Sequence, residues 1–490
     1  MKATISMSET IPFRDIIIVG AGLSGIGAAY HIQSKCPGST YAILEARESM
    51  GGTWDLFKYP GLRSDSDMYT LGFPFYPWKD PKAIADGPAI LSYIKETAAH
   101  FGIDKKIQYN HKVIDAEWSN AENEWTVRVQ PHATVEATAI RCKFLMMCSG
   151  YYDYDQGYMP KFPNQEAFQG KLFHPQHWDT TADYKNKKVV VIGSGATAVT
   201  IVPEMSKTAE KVVMLQRSPT YIMNMPSEDV VSNFLKKILP SKVAHHLARW
   251  KNILFSMFFY NLSKWKPHWV RGMIQKAAEK ELGDKYEKKH FDPKYDPWDQ
   301  RLCLVPDNDL FQTIKEGKVE IVTDTIKQFT PNGIDLDSGD QLEADIIVAA
   351  TGLTMKLFGG MQIKLNGETM QMNQQHAYRG VMFSNLPNFA MAVGYTNASW
   401  TLKCDLNCQF VAKLINYMND KAYSSCTPVF DKAEFGEEDL LDLSSGYVER
   451  AKAILPKQGS KKPWKVHQNY IKDLFMLKYG KVDDGYLEFS

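Results

Sequence analysis

Apolar residues form short unbroken runs that end in glycine, and twice along the chain such a run leads into a helical pattern. The first run, Ile16–Val19, is followed by the loop Gly20–Gly25 and by apolar residues at helical spacing over 26–32. A β-branched run bounded by glycine is typical of a buried parallel strand. The order strand, glycine loop and helix predicts a dinucleotide-binding module, with phosphate groups at the helix N-terminus.

The positions of this first loop have distinct expected roles. Gly20 permits the tight turn, Gly22 lets the backbone approach a pyrophosphate, and Gly25 lets the helix pack closely on the strand. A second strand over 41–44 ends in Glu45, the position from which an acid binds ribose hydroxyl groups. Because a carboxylate would repel a 2′-phosphate, we expect the first module to bind FAD.

The same plan returns further along the chain. The apolar run Val189–Ile192 precedes a second glycine loop. Its fingerprint positions are Gly193, Gly195 and Ala198, the last being a small residue that the motif accepts. The strand that follows ends in Arg217 rather than in an acid. Since arginine pairs with a 2′-phosphate, we expect the second module to bind NADP(H) rather than NAD(H).

A helical, lysine-rich stretch interrupts the second module. Strand patterns resume at 319–322 and close at the glycine-ended run 342–352, which mirrors the earlier run 144–150. The sequence therefore predicts an α/β protein with two Rossmann-like dinucleotide-binding domains and a helical insert in the second. The expected limits are 1–149 and 353–490 for the FAD-binding domain, 150–225 and 300–352 for the NADP-binding domain, and 226–299 for the insert. Charged and aromatic residues predict helices over 429–490.

Bulk properties exclude several classes of function. The 490 residues carry a net charge of +1, which gives no basis for nucleic-acid binding. The seven cysteines have no disulfide or metal-binding spacing, so we expect a cytoplasmic protein without a metal site. No apolar run is long enough to span a bilayer. The basic and aromatic mixture over 234–269 favours a helical subdomain packed on the protein over an amphipathic helix at a membrane surface. Its aromatic residues could equally line a pocket entrance.

Two loops carry candidate contacts to the first dinucleotide. Paired glycines before an aromatic residue suggest backbone lying close to a flat ring, and this pattern includes Gly52, Thr53 and Trp54. A Pro-Gly pair further on marks a turn. This turn would bring Arg63 and Asp65 near the same cofactor, and a solvated surface loop is the alternative.

The segment between the two modules contains a further pattern. Its spaced residues Phe168, Gly170, His174, Trp178 and Asp179 resemble the fingerprint of type I Baeyer–Villiger monooxygenases. Flavin-containing monooxygenases that oxidise nitrogen and sulfur share most of this fingerprint, but they usually have Tyr or Phe in place of the tryptophan. The resemblance extends over nearly the whole chain, with a closer likeness to a mycobacterial branch of the family.

The resemblance implies roles for particular residues. Arg301 matches the family's catalytic arginine, and Asp65 matches the acid that accompanies it. His174 matches the fingerprint histidine, which couples the two domains. Three positions match residues that contact NADP: Thr197, Arg217 and Ser218. Gln300 departs from the family pattern, in which a lysine before the arginine helps to recognise the 2′-phosphate, so the preference for NADPH would depend on Arg217.

The activity implied by the resemblance is NADPH-dependent oxygenation of a small molecule. The flavin would activate O₂ as a C4a-peroxide and convert ketones to esters or lactones, with sulfoxidation as a side activity. Two other functions stay open: oxidation of amine nitrogen or sulfide sulfur by a flavin-containing monooxygenase, and redox sensing by a non-catalytic flavoprotein. The pairing of Arg301 with Trp178 favours the ketone reaction. A disulfide reductase would need a dithiol near the first helix, where the only nearby cysteine is Cys36.

Overall fold

Two sheets organise the computed structural model, which describes residues 11–131, 136–441 and 445–490. The first sheet joins parallel strands around the first glycine loop to an antiparallel extension. Its strands, in spatial order, are Glu368–Thr369, Gln362–Leu365, His111–Ser119, Glu124–Pro131, Thr138–Met147, Phe13–Val19, Tyr41–Leu44 and Ile107–Gln108, and Phe389–Met391 pairs with Thr138–Met147. The apolar runs that end at Gly20 and at Gly150 thus belong to adjacent parallel strands, Phe13–Val19 and Thr138–Met147.

The second sheet is parallel throughout and carries the second glycine loop. Its strands, in spatial order, are Val319–Thr323, Lys211–Gln216, Lys188–Ile192, Ile346–Ala349 and Lys171–Phe173. In each sheet a helix follows the glycine loop, Leu23–Lys35 in the first and Ala196–Met205 in the second. Because packed elements cover both faces of the central strands, their sequences are continuously apolar. The predicted α/β fold with two Rossmann-like modules is confirmed.

A pair of antiparallel strands connects the two sheets. Tyr152–Gly157 leads from the first sheet to the second, and Leu353–Met355 leads back beside it. A small antiparallel sheet covers one side of the second module, because Phe329 and Ile334 pack against Val190. Its strands are Ile326–Thr330, Gly333–Leu336 and Gln341–Glu343.

Helices fill the insert between the paired strands Ile222–Met225 and Cys303–Pro306. They are Val230–Ile238, Ser241–Trp265, Pro267–Leu282 and Lys288–Phe291. Arg249 is buried and donates hydrogen bonds of 2.8 Å to the carbonyl oxygens of Tyr69 and Gly72. The insert is therefore a helical subdomain packed on the first module, as the sequence predicts. Among the described residues, no helix combines the length and apolar character needed to cross a bilayer.

Further helices are Thr53–Leu56, Met68–Leu71, Gly87–His100, Asp309–Lys315 and Trp400–Lys421. The prediction of helices over 429–490 holds only for short pieces of the chain. The described part of this stretch forms short strands, the short helices Lys432–Phe435, Gly446–Ala451 and Tyr470–Asp473, and a π-helical turn at Leu474–Tyr479. Pro456, Pro463 and several glycines interrupt it, and a proline inside a helix removes a backbone donor and clashes with the preceding turn.

Candidate active site

A cavity of about 620 Å³ opens where the strands of the first sheet end. Val19, Leu44 and Cys148 lie at or just beyond the carboxyl ends of three neighbouring parallel strands and form part of its wall. Open α/β sheets bind ligands at this edge. The insert helix Ser241–Trp265 and the segment 298–304 complete the wall, so both modules and the insert border one space, called here the main cavity.

The first glycine loop leaves the backbone accessible to a ligand. Gly22 begins the helix Leu23–Lys35 without a side-chain cap, and a Cβ added to it would lie 3.5 Å from the Cα of Gly52. Gly25 serves the packing, because a Cβ there would lie 1.9 Å from the carbonyl oxygen of Gly20. A helix N-terminus without a side-chain cap, at the edge of the cavity, fits the pyrophosphate of a dinucleotide.

Glu45 is fixed by the backbone on the wall of the main cavity. Its carboxylate is buried and accepts hydrogen bonds from the N–H groups of Ala21 (2.8 Å) and Arg47 (2.9 Å). Burial raises the pKa of the carboxyl group, and the two N–H donors oppose that rise. Because each carboxylate oxygen can accept a second hydrogen bond, the residue can also receive ribose hydroxyls, which fits the adenosine half of FAD.

The paired-glycine segment lies on the same wall, which includes Gly52, Thr53 and Trp54. The threonine hydroxyl is 3.3 Å from the hydroxyl of Tyr154. Arg47 holds the segment in place through an ion pair of 2.7 Å with Asp55. The paired-glycine motif therefore lies on the cavity wall, as part of the set that the sequence singled out. Tyr154, which contacts the threonine, belongs to no sequence motif.

Arg301 and Asp65 meet in the wall of the main cavity. Their closest atoms, Nη1 and Oδ2, are 3.6 Å apart, and the side chains are 36% and 44% exposed. The Nε of Arg301 is buried and has no hydrogen-bond partner within the described structure. Burial alone would lower the pKa of Arg301, but the hydroxyl of Tyr151 and the carboxylate of Asp65 raise it, and the net shift is upward. The guanidinium is therefore a permanent cation with donors left for a ligand.

Arg63 does not join this group. It forms an ion pair with Asp309, the first residue of the helix Asp309–Lys315. The Pro-Gly loop therefore contributes Asp65 to the main cavity and directs Arg63 elsewhere, so the expectation that both residues face the cofactor is wrong for Arg63.

Several aromatic side chains that belong to no sequence motif form part of the cavity wall. Tyr151 packs against Trp400 with ring centroids 4.8 Å apart. Trp298 has a φ of 71°, a rare conformation for a bulky residue that is often found at functional sites. The remaining apolar wall includes Met223, Met225, Phe255, Phe259 and Leu304. In the sequence, only their positions could have indicated that Tyr151 and Trp298 line the cavity. Tyr151 follows the glycine-ended strand, and Trp298 precedes Arg301 by three residues.

The second glycine loop lies outside the main cavity and has its own open N-terminus. Gly195 is exposed and begins the helix Ala196–Met205 without a side-chain cap. Arg217 and Ser218 are exposed beside it, and the Ser194 hydroxyl donates to the Ser218 carbonyl oxygen (3.1 Å). Arg217 forms no ion pair with any described residue. An exposed N-terminus next to a free arginine fits a phosphorylated dinucleotide.

The other predicted positions of this loop lie within the same turn. Gly193 ends the strand Lys188–Ile192, and Ala198 is buried in the helix. Thr197 is half-buried. Tyr59 of the Pro-Gly loop packs against the hydrophobic core of the second module, and burial raises the pKa of its hydroxyl to about 12. The loop that carries Asp65 thus also contacts the second module.

His174 lies at the link between the two sheets. Its Nε2 donates to the carbonyl oxygen of Gly352 (2.9 Å), because its Nδ1 accepts the N–H of Gln176 (3.1 Å). The ring packs so closely on Gly157 that a Cβ there would lie 2.1 Å from it. Burial lowers the pKa of the imidazole. A neutral histidine therefore fastens both connecting strands to one segment.

The other fingerprint residues hold the same segment to the second module. Phe168 packs against Phe329, and Trp178 packs edge-on against Phe173, with ring centroids 6.2 and 5.0 Å apart. Gly170 lies against the carbonyl of Asp345, and Asp179 forms an ion pair of 2.9 Å with Lys171. In the described structure none of the five borders the main cavity.

Sequence comparisons identify close relatives over the full length of the fold. The model of the flavin-binding monooxygenase-like family matches residues 14–416. The FAD-containing monooxygenase EthA of Mycobacterium tuberculosis is 52% identical over 478 residues, which covers 97% of each chain. The probable FAD-binding monooxygenase AlmA of Acinetobacter baylyi is 47% identical over 478 residues, covering 97% of this chain and 96% of its own.

Solved structures share the fold at lower identity. OTEMO in complex with FAD and NADP superposes with a TM-score of 0.74 and 21% identity, covering 98% of this chain and 100% of that one. Cyclohexanone monooxygenase bound to epsilon-caprolactone gives a TM-score of 0.76 and 19% identity, with the same coverage. Together with the relatives, these matches confirm the predicted resemblance. The chain belongs to the flavin-binding monooxygenase-like family.

Proposed function

We propose that this protein binds FAD and NADP(H) and uses NADPH and O₂ to convert ketones to esters or lactones. The observation that supports this most is Arg301, a permanent cation paired with Asp65 in the wall of the cavity that the first glycine loop borders. The names of relatives such as the FAD-containing monooxygenase EthA, and the FAD and NADP in the OTEMO complex, support the two cofactors.

We propose separate binding regions for the two dinucleotides. FAD would be held by Gly20, Gly22, Gly25, Glu45, Gly52, Thr53, Trp54 and Asp65, and NADP(H) by Gly193, Gly195, Thr197, Ala198, Arg217 and Ser218. The domain limits proposed from the sequence assign the first set to residues 1–149 and the second to 150–225. The nicotinamide end would then extend past the Pro-Gly loop, which contacts both modules, towards Arg301.

The proposed reaction inserts one oxygen atom between a carbonyl carbon and a neighbouring carbon. Bound FAD, reduced by NADPH, would supply the activated oxygen. One C–C bond breaks and two C–O bonds form, the second oxygen atom leaves as water, and NADPH with one proton supplies the two electrons and the hydrogen. Negative charge develops on oxygen during this attack, and a fixed cation stabilises it most in a site of low dielectric.

Arg301 would supply that cation. Its Nη1 lies 3.6 Å from Asp65, close enough for the carboxylate to orient the guanidinium and too far for a strong hydrogen bond. The side chain is 36% exposed in the cavity wall, so the outer N–H donors of the guanidinium can reach a developing oxyanion. Asp65 is a positioning residue in this scheme, since its charge acts through the arginine.

The apolar wall would exclude water from the reacting atoms. Met223, Phe259 and Leu304 face the same cavity as Arg301. Removing water strengthens the electrostatic effect of the guanidinium and prevents loss of activated oxygen. The same wall would admit apolar sulfides, and we therefore propose sulfoxidation as a side activity.

The test is a product assay with the FAD-loaded protein, NADPH and ¹⁸O₂. The substrates are a linear ketone, a cyclic ketone, an aryl ketone, a thioether and a tertiary amine. The expected result is ester or lactone carrying one ¹⁸O atom from the ketones, with sulfoxide as a lesser product. N-oxide as the main product would assign the protein to the amine-oxidising class, and NADPH oxidation that no substrate stimulates would indicate a redox sensor.

A further inference from the structure

The insert presents apolar side chains that the described structure leaves uncovered. Large exposed hydrophobic residues are concentrated on its helices, whereas the sheets keep theirs buried. We use the name insert face for the exposed residues Val230, Val231, Phe234, Ile238, Val243, Leu247, Leu254, Phe258, Trp265 and Trp269. Single exposed apolar residues need no explanation, but a contiguous group of this kind marks an interaction site.

On the longest insert helix, Ser241–Trp265, the exposed residues lie on one side. The positions 243, 247, 254, 258 and 265 recur at intervals of four and seven, so they form a single stripe along the helix. The opposite side is buried on the protein through Ala248, Arg249 and Ile253. The helix therefore packs one side onto the protein and turns an apolar side outward.

The preceding helix, Val230–Ile238, also has an exposed apolar side. Its exposed residues 230, 234 and 238 are four apart, so they share one side. The two helices run alongside each other, because Lys251 of the longer one forms an ion pair with Asp229 and reaches Ser232 (3.3 Å) at the start of the shorter one. The insert face is therefore a helical hairpin rather than a set of isolated residues.

Along the sequence, the insert helices that carry this face have charged residues of one sign only. From Val230 to Ala278 the sequence has no Asp or Glu, and its Lys and Arg residues are 236, 237, 242, 249, 251, 264, 266, 271 and 276. Within the described chain, Lys237, Lys242 and Lys276 make no ion pair and point into solvent. The ammonium of Lys266 lies 4.5 Å from the ring centre of Trp265, a basic and aromatic pairing suited to a membrane interface.

We propose that the insert face docks this protein onto the surface of an anionic lipid bilayer. Apolar residues on one helix side, tryptophan beside lysine and the absence of acids are the features by which a helix lies in the headgroup region. A second copy of the chain fits less well, because a two-fold contact through this face would set lysines against lysines. The helices would lie on the bilayer and not cross it.

Docking in this orientation would bring the main cavity close to the lipid. Asn252, Ser256 and Phe259 line the cavity from the same helix that carries the stripe. Phe255, which follows Leu254 of the insert face, lines the cavity and is also 52% exposed. A substrate dissolved in the bilayer could therefore enter the cavity along this helix.

The test measures binding of the FAD-loaded protein to vesicles by sedimentation, without reference to catalysis. Vesicles of phosphatidylcholine with an equal share of phosphatidylglycerol are compared with phosphatidylcholine alone. We expect the anionic vesicles to bind the protein at least about tenfold more tightly, and 0.5 M salt to weaken that binding, since polybasic surfaces respond to charge and screening.

Two variants separate the contributions of charge and apolar contact. Lys237→Glu with Lys242→Glu and Lys276→Glu, and separately Phe258→Ser with Trp265→Ser, should each lower the affinity by roughly tenfold or more. The matched controls are Lys105→Glu with Lys185→Glu and Lys327→Glu, and Phe475→Ser, which change exposed residues outside the insert. The controls should bind as the parent does, and circular dichroism checks that every variant is folded.

Three results would overturn the proposal. The first is an unmodified protein that does not sediment with anionic vesicles. The second is binding that both insert variants retain in full. The third is a concentration-dependent dimer, seen by analytical ultracentrifugation, that Trp265→Ser abolishes, since this would assign the insert face to a second copy of the chain.

Discussion

At the residue scale, we expect the charge of Arg217 to distinguish the second dinucleotide site from the first. It is exposed beside the second glycine loop and forms no ion pair with a described residue. A charge-assisted hydrogen bond contributes about 1.5–3 kcal/mol. Arg217→Ala should therefore raise the KM for NADPH by roughly 10- to 100-fold and leave the KM for NADH nearly unchanged. Steady-state kinetics with both cofactors measure this.

The control for this prediction is Arg217→Lys, which keeps the charge and loses the planar fork of donors. It should retain part of the preference for NADPH. An equal rise in both KM values for Arg217→Ala would remove the phosphate role, and recognition would then have to come from another residue, because Gln300 offers no charge.

His245 makes the stability of the insert depend on pH. It is buried on the helix Ser241–Trp265, and burial first, then Arg249, lower its pKa from 6.5 to about 4. Lys236 and His246 act in the same direction. Below pH 6.5 the unfolded chain binds a proton that the folded chain does not, so stability present above pH 6.5 is lost as the pH falls towards 4.

The expected loss in the free energy of unfolding between pH 7 and pH 5 is about 2 kcal/mol from this residue alone. His245→Phe keeps a ring of similar size and removes the titration. Thermal unfolding at both pH values should show a smaller drop in Tm for His245→Phe than for the parent. Identical drops would show that His245 is not buried in its neutral form.

At the scale of elements, the first glycine loop offers a matched pair of substitutions. Gly22 has an ordinary φ, and a Cβ there would lie 3.5 Å from Gly52, an ordinary contact. Gly22→Ala should therefore fold, but its methyl group would occupy the approach to a pyrophosphate. We expect the flavin content of the purified protein, measured by absorbance at about 450 nm, to fall at least roughly tenfold.

Gly38→Ala is the control, because no atom lies within 4 Å of a Cβ at that position. It should keep its flavin and its circular dichroism spectrum. A Gly22→Ala protein that retains full flavin would show that this loop does not hold the pyrophosphate.

Elements with a strong local pattern were predictable, and those built by distant contacts were not. The run at 189–192 forms a central strand, as its unbroken apolar sequence and the glycine after it predict, and its burial in the sheet is consistent with both. Of the two residues predicted on the Pro-Gly turn, Asp65 borders the main cavity. Arg63 instead pairs with Asp309, a residue 246 positions away that no local pattern could indicate. Tyr151 borders the main cavity just before the connecting strand Tyr152–Gly157, and Trp298 borders it with a left-handed backbone. Neither feature has a sequence motif.

In the insert, the hydrophobic pattern of the sequence predicted some features and not others. Its helices were predicted, and so was their packing on the protein. The sequence could not indicate that the same helix keeps a second apolar side exposed, since hydrophobic spacing alone does not reveal what covers each side.

At the scale of the whole molecule, we expect His174 to help hold the two modules in place relative to each other. Its hydrogen bonds to Gly352 and Gln176 fasten the link strands. His174→Ala should leave flavin bound and reduced, but the looser modules should release more hydrogen peroxide per NADPH oxidised, by at least about twofold. A peroxide assay beside NADPH consumption measures this uncoupling.

A His174→Gln variant, which keeps a side-chain N–H donor, should recover part of the coupling. An unchanged peroxide yield in both variants would restrict His174 to a stabilising role. If His174 only stabilised the fold, its replacement would lower the Tm without altering the amount of hydrogen peroxide released per NADPH oxidised.

The most direct test of the proposed chemistry separates flavin reduction from oxygen transfer in Arg301→Ala. Anaerobic stopped-flow absorbance measures reduction of the bound flavin by NADPH, and mass spectrometry measures ester formed from a ketone. We predict reduction within about threefold of the parent rate and ester formation reduced at least about 100-fold, the usual effect of removing a charge-stabilising donor. Ester formation by Arg301→Ala at close to the parent rate would contradict the account.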